Sequence, residues 1–218
     1  DIKQIPVDLL SLSAHKIGGP KGVGALYVRD GVELSPCLHG GHQEHYLRAG
    51  THNVAGIVGF GRACQWVEEH LSAETQRLTR MRNRLEDRIF EYLEHVYRNG
   101  DMENCLPNTL NLTFPYVEGE GLLLALDMVG IAASSGSACT SGADGASHVL
   151  KAMNADDMTL NSSVRLSLGF HNTEEDVDYV VEHLPGVVKR LLAMSPAFDE
   201  LKEYDCDFIS CEIDPHAH

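Results

Sequence analysis

The sequence predicts an α/β fold organised in two domains. Short apolar runs rich in β-branched residues alternate with stretches in which apolar residues recur every three or four positions, the pattern of strands followed by helices. One helical stretch, residues 54–96, is too long for a single domain, and the polar segment Ser72 to Thr75 marks the expected junction. The 218 residues are enough to bury a core in each part. We therefore expect one domain over residues 1–72 and a second over residues 73–218.

The first domain opens with two predicted strands. Residues 5–13 and 22–29 are apolar and β-branched, and the segment Gly18 to Lys21 has the glycine and proline content of a turn. We expect these strands to be the last ones of a large sheet.

The second domain is predicted to mix strands and helices. Residues 109–114 alternate as a strand with Leu110, Leu112 and Phe114 on one face. The other predicted elements, in chain order, are a helix over 118–129, a strand over 131–135, a short helix over 148–153, a strand over 164–168 and a helix over 177–194.

Two local signals concern the last helix. Thr173 followed by Asp176 resembles a capping box with aspartate in place of glutamate, which would open the helix. The pair Pro185 and Gly186 should kink or break it, because proline removes a backbone donor.

Lys16 is the first candidate for chemistry. It follows the first strand and precedes the glycine-rich segment from Ile17 to Gly22, so a rigid turn would hold the amine in a cleft. Desolvation there favours the uncharged amine, which is a Schiff-base nucleophile. Ser13 and His15 occupy alternate positions and could donate to an anion such as a phosphate from one face. An amine beside phosphate donors suggests pyridoxal phosphate, although a solvated surface lysine is the alternative.

Cys139 is the second candidate. It lies in the small-residue run from Ser134 to Gly142, which has too little apolar bulk for a core and predicts a flexible loop presenting one thiol.

Together these stretches resemble the cysteine desulfurases of the NifS and IscS type. The resemblance implies the type I fold of pyridoxal-phosphate-dependent transferases, with residues 1–72 as the end of the large cofactor-binding domain and residues 73–218 as the small C-terminal domain. The matching stretches, in family order, are Ser13 to Lys16, Gly40 to Glu44, Arg48 to Thr51, Pro107 with Asn108, Tyr116 to Glu120, the cysteine loop, and Ser163 to Gly169.

The resemblance also implies a reaction, the conversion of L-cysteine to L-alanine with transfer of the sulfur to Cys139 as a persulfide. Lys16 would hold the pyridoxal phosphate and move the α-proton. Thr51 would contact the phosphate of the partner subunit's cofactor, although the residues alone allow a plain helix N-cap there. Arg165 would bind the substrate carboxylate as a bidentate fork, with an ion pair as the alternative. Asn108 matches a family position near the substrate.

Partners follow from the same resemblance. We expect a homodimer and a sulfur acceptor such as the scaffold protein of iron–sulfur cluster assembly, docked by the tail from residue 195. The chain matches the C-terminal half of the family, so we expect it to be an interior piece that needs the N-terminal half for cofactor binding.

Composition limits the classes of partner. The formal net charge of −15 argues against binding nucleic acid or an anionic membrane without help. No apolar stretch is long enough for a membrane span, so we expect a cytoplasmic protein. The six cysteines lack paired spacing and are expected to be thiols.

The sequence contains two sets of possible metal ligands, and neither predicts a metal site. The first, in the loop before Arg48, has no cysteine and one carboxylate. The second has loose spacing and nothing upstream to complete it. The two sets are His39, His42, Glu44 and His45, and Cys206, Cys211, His216 and His218.

The same residues are compatible with alternatives to a cysteine desulfurase. An aminotransferase or selenocysteine lyase would keep Lys16 and Arg165 without needing Cys139. A non-catalytic half-chain that binds a sulfur acceptor would need none of the three.

Overall fold

The structure is a computed structural model that describes residues 2–135, 147–196 and 198. It divides into two compact units, residues 1–72 and 73–218. The assignment of these units to the large and small domains of a cofactor-dependent enzyme remains a prediction.

Unit 1 contains one β-hairpin. Strand β1 is Leu9–Ser13 and strand β2 is Gly24–Val28, each shorter than predicted, and they pair antiparallel. A 3-10 turn, Ala14–Ile17, follows β1, and Gly18 ends it with φ 79°. No residue of either strand is buried. The register places Leu9 opposite Val28, Ser11 opposite Leu26 and Ser13 opposite Gly24.

Helix α1 is Val54–Tyr92, 39 residues that continue across the boundary between the units. The predicted long helix is therefore confirmed, although it stops four residues earlier than expected. In unit 2 the helix places Met81, Leu85 and Ile89 at four-residue steps, and all three are buried.

Unit 2 is built on a three-stranded antiparallel sheet. The strands are β3 (Tyr97–Arg98), β4 (Thr109–Thr113) and β5 (Ser163–Ser167), in that order across the sheet. Asn111 of β4 lies opposite Arg165 of β5. The predicted apolar face of β4 is confirmed, since the two leucines at 110 and 112 are at most 1% exposed.

The described part of unit 2 contains four further helices. They are α2 (Gly119–Asp127), α3 (His148–Ala152), α4 (Asp157–Asn161) and α5 (Glu174–Leu192). Helix α2 packs against α5 and β5. The core side chains of unit 2 include Met81, Leu85, Ile89, Leu110, Leu112, Phe114, Val117, Leu122, Leu126, Val164, Leu166, Val177, Val181, Leu184, Val187 and Val188.

The prediction of a strand over residues 131–135 is wrong. The segment makes one isolated bridge, Ser134 to Arg165. Ile131 is buried, but its N–H donates to the carbonyl of Leu126 at the end of α2, 2.9 Å away, rather than to a neighbouring strand. Its apolar character therefore reflects burial and not strand pairing.

The capping box on α5 is confirmed. The Thr173 hydroxyl accepts from the N–H of Asp176, whose carboxylate accepts from the N–H of Thr173. The expected break at Pro185 does not occur, because α5 continues through it. Leu184 and Val187, buried on either side, hold the helix in place across the proline.

Within the described residues, no helix has the length and apolar character needed to cross a membrane.

Candidate functional site

Lys16 lies in the 3-10 turn Ala14–Ile17, directly after β1. Ala14 anchors this turn, since it is fully buried and its N–H donates to the Val23 carbonyl at 3.1 Å. The Gly19 N–H closes the other side with a 2.9 Å bond to the Ala14 carbonyl. The predicted placement of the lysine in a turn at the end of a strand is therefore confirmed. Lys16 is exposed, however, so the expected desolvation of its amine is not seen in this structure.

A cavity of about 500 Å³ lies beside this lysine within unit 1. Lys16 and Ser13 both line it, and Phe60 and Val67 of α1 form an apolar part of its wall. The structure thus brings together two of the three residues proposed for this site.

His15 does not line the cavity. The expectation that it shares a strand face with Ser13 is wrong, because β1 ends at Ser13 and His15 belongs to the 3-10 turn. The two-residue period of a strand does not continue into such a turn.

Thr51 lies before α1, exposed and without a side-chain hydrogen bond among the described residues. The alternative prediction, that Thr51 is the N-cap of helix α1, is wrong. The helix begins at Val54, and the side-chain oxygen of Asn53 accepts from the N–H of Gly56 at 3.1 Å, which is the N-cap interaction. The threonine hydroxyl is therefore not used by the helix.

The loop before Thr51 has an unusual backbone. Glu44, His45 and Tyr46 are three consecutive non-glycine residues with φ of 48°, 54° and 71°. The Glu44 carboxylate lies 2.9 Å from Nε2 of His52, and this contact links the segment to the residue that follows Thr51. Sequence patterns gave no signal for it, because left-handed residues are usually glycine or asparagine.

Arg165 lies on a strand, as predicted, and is the central residue of β5. Its backbone N–H and carbonyl pair with Ser134, at 2.6 and 3.1 Å. Its side-chain Nε is buried, and among the described residues it has no hydrogen-bond partner. A buried donor without a partner normally marks a position that a ligand, water or unseen group satisfies.

Asn108, the second predicted substrate residue, makes a structural contact. Its side-chain amide donates to the carbonyl of Leu168 at 3.1 Å. A role in substrate binding remains a prediction beside this contact.

Cys139 lies outside the described residues, as do Cys206, Cys211, His216 and His218. Within the described part of the chain, no three His, Cys, Asp or Glu side chains are grouped so that they could hold a metal ion.

The chain belongs to the aminotransferase class-V family, whose model matches residues 1–180. Among curated proteins it is similar to a cysteine desulfurase of Gluconacetobacter diazotrophicus, with 47% identity over 91% of this chain and 50% of the relative. It is 48% identical to the cysteine desulfurase IscS of Clostridium botulinum over 92% of this chain and 51% of the relative.

Solved structures of similar proteins support the same family. A NifS-like protein superposes with a TM-score of 0.79 at 37% identity, over 88% of this chain and 49% of that one. A structure of SspA in complex with cysteine superposes with a TM-score of 0.57 at 37% identity, over 77% and 46% of the two chains. The predicted α/β fold of type I pyridoxal-phosphate-dependent transferases is therefore confirmed.

The chain spans about half the length of the curated relatives and solved structures that it matches.

Proposed function

We propose that this chain contributes the lysine and cysteine of a pyridoxal-phosphate-dependent cysteine desulfurase, which converts L-cysteine to L-alanine and leaves a persulfide on Cys139. The observation that carries the proposal is Lys16, which lies in the 3-10 turn Ala14–Ile17 and lines a cavity in a chain of the aminotransferase class-V family. The likeness to SspA, which has been solved with cysteine, supports the substrate.

The residues around Lys16 suit the cofactor. The cavity of about 500 Å³ falls within the range of about 300–1,000 Å³ usual for ligand sites. Lys16 supplies the amine for an aldehyde, and Ser13 supplies a hydroxyl donor in the same cavity. When bound, pyridoxal phosphate supplies an electron-withdrawing ring that stabilises negative charge at the substrate Cα.

Each residue has a separate part in the proposed reaction. Lys16 would take a proton from Cα and return one to the product. Arg165 would bind the substrate carboxylate, which gives its buried Nε the partner that it lacks among the described residues. The Cys139 thiolate would attack the substrate sulfur, so that the C–S bond breaks as an S–S bond forms and no external oxidant is needed.

The exposed leucines of the unit 1 hairpin support the proposal that the complete enzyme contains further strands. Leu9, Leu12 and Leu26 are 44%, 47% and 54% exposed, and a two-stranded hairpin without a buried face is marginal by itself. We infer that strands equivalent to the other half of the relatives cover it and complete the cofactor site.

The remaining partners are also part of the proposal. The unused hydroxyl of Thr51 is available to a phosphate in a second subunit, as in a homodimer with shared sites. We propose a cytoplasmic enzyme that hands its sulfur to an iron–sulfur scaffold or another acceptor protein.

Borohydride reduction tests the role of Lys16. The protein would be purified with any chain that co-purifies, its intact mass recorded, and the sample incubated with pyridoxal phosphate, reduced and mapped by peptide mass spectrometry. We expect a pyridoxyl group on Lys16 and none on Lys21, which lies in the next turn and serves as an internal control. An unmodified Lys16 in a sample that has the absorbance band of the bound cofactor overturns the proposal.

Two substitutions test the role of Cys139. Cys139→Ser should abolish sulfide release from L-cysteine in the presence of a reductant while keeping the cofactor band. Cys37→Ser, which removes an exposed thiol that is not among the predicted site residues, should leave the rate unchanged. Sulfide release that survives Cys139→Ser indicates a lyase instead, and a sample that contains the other half of the enzyme and still takes up no cofactor indicates a binding module.

A further inference from the structure

The sheet of unit 2 has one apolar face and one polar face. Leu110 and Leu112 of β4 belong to the core, so the residues that alternate with them lie on the opposite face. This polar face carries three cross-strand pairs, which are Thr113 with Ser163, Asn111 with Arg165, and Thr109 with Ser167. Burial decreases along the pairs in that order. Both members of the first are at most 1% exposed, both members of the second are half-buried, and Ser167 of the third is exposed. The middle pair therefore lies where the closed part of this face meets the open part.

Asn111 and Arg165 are close neighbours across the two strands. The backbone N–H and carbonyl of Arg165 bond to Ser134, and the Asn111 carbonyl accepts from the N–H of Asn99 at 2.9 Å. The two residues thus form a non-hydrogen-bonded pair of the antiparallel ladder. In such a pair the Cα atoms are about 4.5 Å apart and the side chains are closer than in a hydrogen-bonded pair.

The direction of the Asn111 amide is fixed. Nδ2 of Asn99 donates to Oδ1 of Asn111 at 2.6 Å. The same nitrogen lies 2.8 Å from the Thr113 hydroxyl and 3.1 Å from the Ser163 hydroxyl, so Asn99 is itself held by the closed part of the face. Oδ1 of Asn111 is engaged in this network, whereas its Nδ2 has no hydrogen-bond partner among the described residues.

Arg165 provides a second unsatisfied donor beside this amide. Its Nε is buried, and its guanidinium makes no hydrogen bond or ion pair with any described residue. Two donors cannot satisfy each other, so the pair needs an acceptor that reaches both. A carboxylate meets this need, because each of its two oxygens can accept hydrogen bonds and its charge suits the guanidinium.

We propose that Asn111 is a second binding residue for the α-carboxylate of the substrate. Its Nδ2 donates to one carboxylate oxygen while Arg165 holds the group through its guanidinium. Asn99 is a positioning residue, because it sets the direction of the Asn111 amide. This inference rests on the proposed function, which supplies an amino acid as the substrate. The contrasting possibility is an asparagine whose only role is its hydrogen bond to Asn99.

Asn111→Asp tests the site without substrate or cofactor. The variant keeps an oxygen for Asn99 and replaces the Nδ2 donor by a second carboxylate oxygen, so it supplies an anion where the substrate carboxylate is expected. Melting temperatures would be measured at neutral pH on the protein purified with any chain that co-purifies. The change caused by Asn111→Asp should be at least about 3 °C more favourable with Arg165 than in an Arg165→Met background. A smaller difference, or one of the opposite sign, overturns the proposal.

Kinetics of the complete enzyme test binding of the substrate. Asn111→Ala should raise KM for L-cysteine about tenfold or more, with kcat changed by less than about threefold. Cysteamine has the same amine and thiol but no carboxylate, so its inhibition constant against L-cysteine should stay the same. Asn161→Ala is the control and should change neither value, since it removes an exposed amide that donates to the Asp157 carbonyl.

An unchanged KM in Asn111→Ala, or an equal weakening of L-cysteine and cysteamine, overturns the proposal. Failure of the proposed function has a different result. The original protein, assembled with the other half of the enzyme, would then release no sulfide from L-cysteine, and the melting temperatures would still decide whether Asn111 and Arg165 face one anion.

Discussion

Asn108 and Leu168 are hydrogen-bonded to each other in both directions. The Leu168 N–H donates to the Asn108 carbonyl at 2.8 Å, and the Asn108 side-chain amide donates to the Leu168 carbonyl at 3.1 Å. The pair extends the contact between β4 and β5 by one step beyond the last residues of the ladder. It therefore holds the end of the strand that carries Arg165.

Asn108→Ala should lower the free energy of unfolding by about 1 kcal/mol, because it removes the side-chain half of this pair. Urea denaturation checks the value. Asn104→Ala, which removes a hydrogen bond to Asp101 on the exposed surface, is the control and should cost less than about 0.5 kcal/mol. Equal losses in the two variants would mean that the Leu168 contact adds nothing specific.

Periodic and capping signals predicted the parts of the fold that depend on local sequence. The apolar face of β4 and the capping box at Thr173 both follow from residues a few positions apart. Helix α4 was not predicted, and its start depends on the cap at Asp156, whose side chain accepts from the Thr159 N–H. The unbroken α5 was missed because buried contacts on both sides outweigh the local effect of Pro185.

The part of the candidate site that lies on one contiguous stretch of sequence could be predicted. The placement of Lys16 follows from a strand that runs into a glycine-rich turn. Contacts between distant residues had no such signal: Arg82 and Arg98 lie 23 and 7 residues from Cys105 along the chain, and both donate to its sulfur only in the folded unit. The positive φ angles of Glu44, His45 and Tyr46 were also not predicted, because residue preferences do not indicate them.

The cap of α5 should make stability depend on pH. Hydrogen bonds from the Thr173 N–H and then the Asn172 side chain lower the pKa of Asp176 in the folded protein. A group of this kind stabilises the fold above its unfolded pKa, about 3.9, and this contribution is lost as the pH falls through the folded value. Asp176→Asn should therefore be less stable than the original protein at pH 7, and the difference should shrink between about pH 5 and pH 3.

Urea denaturation across this range measures the difference. Glu182→Gln removes a carboxylate from an exposed position of the same helix that has no hydrogen bond among the described residues, so it should show no comparable trend. A difference for Asp176→Asn that stays constant down to pH 3 would show that the ionised carboxylate is not what stabilises the cap.

Two glycines in the first turn of α2 should respond oppositely to alanine. A Cβ on Gly119 would lie 3.0 Å from the Asn161 carbonyl oxygen and 3.3 Å from that of Ser163, both backbone atoms that cannot move aside easily. Gly119→Ala should therefore lower the free energy of unfolding by about 1–3 kcal/mol. A Cβ on Gly121 would meet nothing closer than 3.9 Å, and Gly121→Ala should raise stability by about 0.5–1 kcal/mol. Thermal unfolding of both variants checks the contrast, and two losses of equal size would contradict it.

Pro185 lies inside α5, where it has no N–H to donate to the carbonyl of Val181, four residues earlier. Pro185→Ala restores that donor while the buried neighbours Leu184 and Val187 keep their places, so the free energy of unfolding should rise by about 1–3 kcal/mol in urea denaturation. Gly186→Ala is the matched control: its Cβ would enter open space, and it should gain about 0.5–1 kcal/mol from backbone entropy alone. A gain at Pro185 no larger than the gain at Gly186 would mean that packing of the proline ring outweighs the missing hydrogen bond.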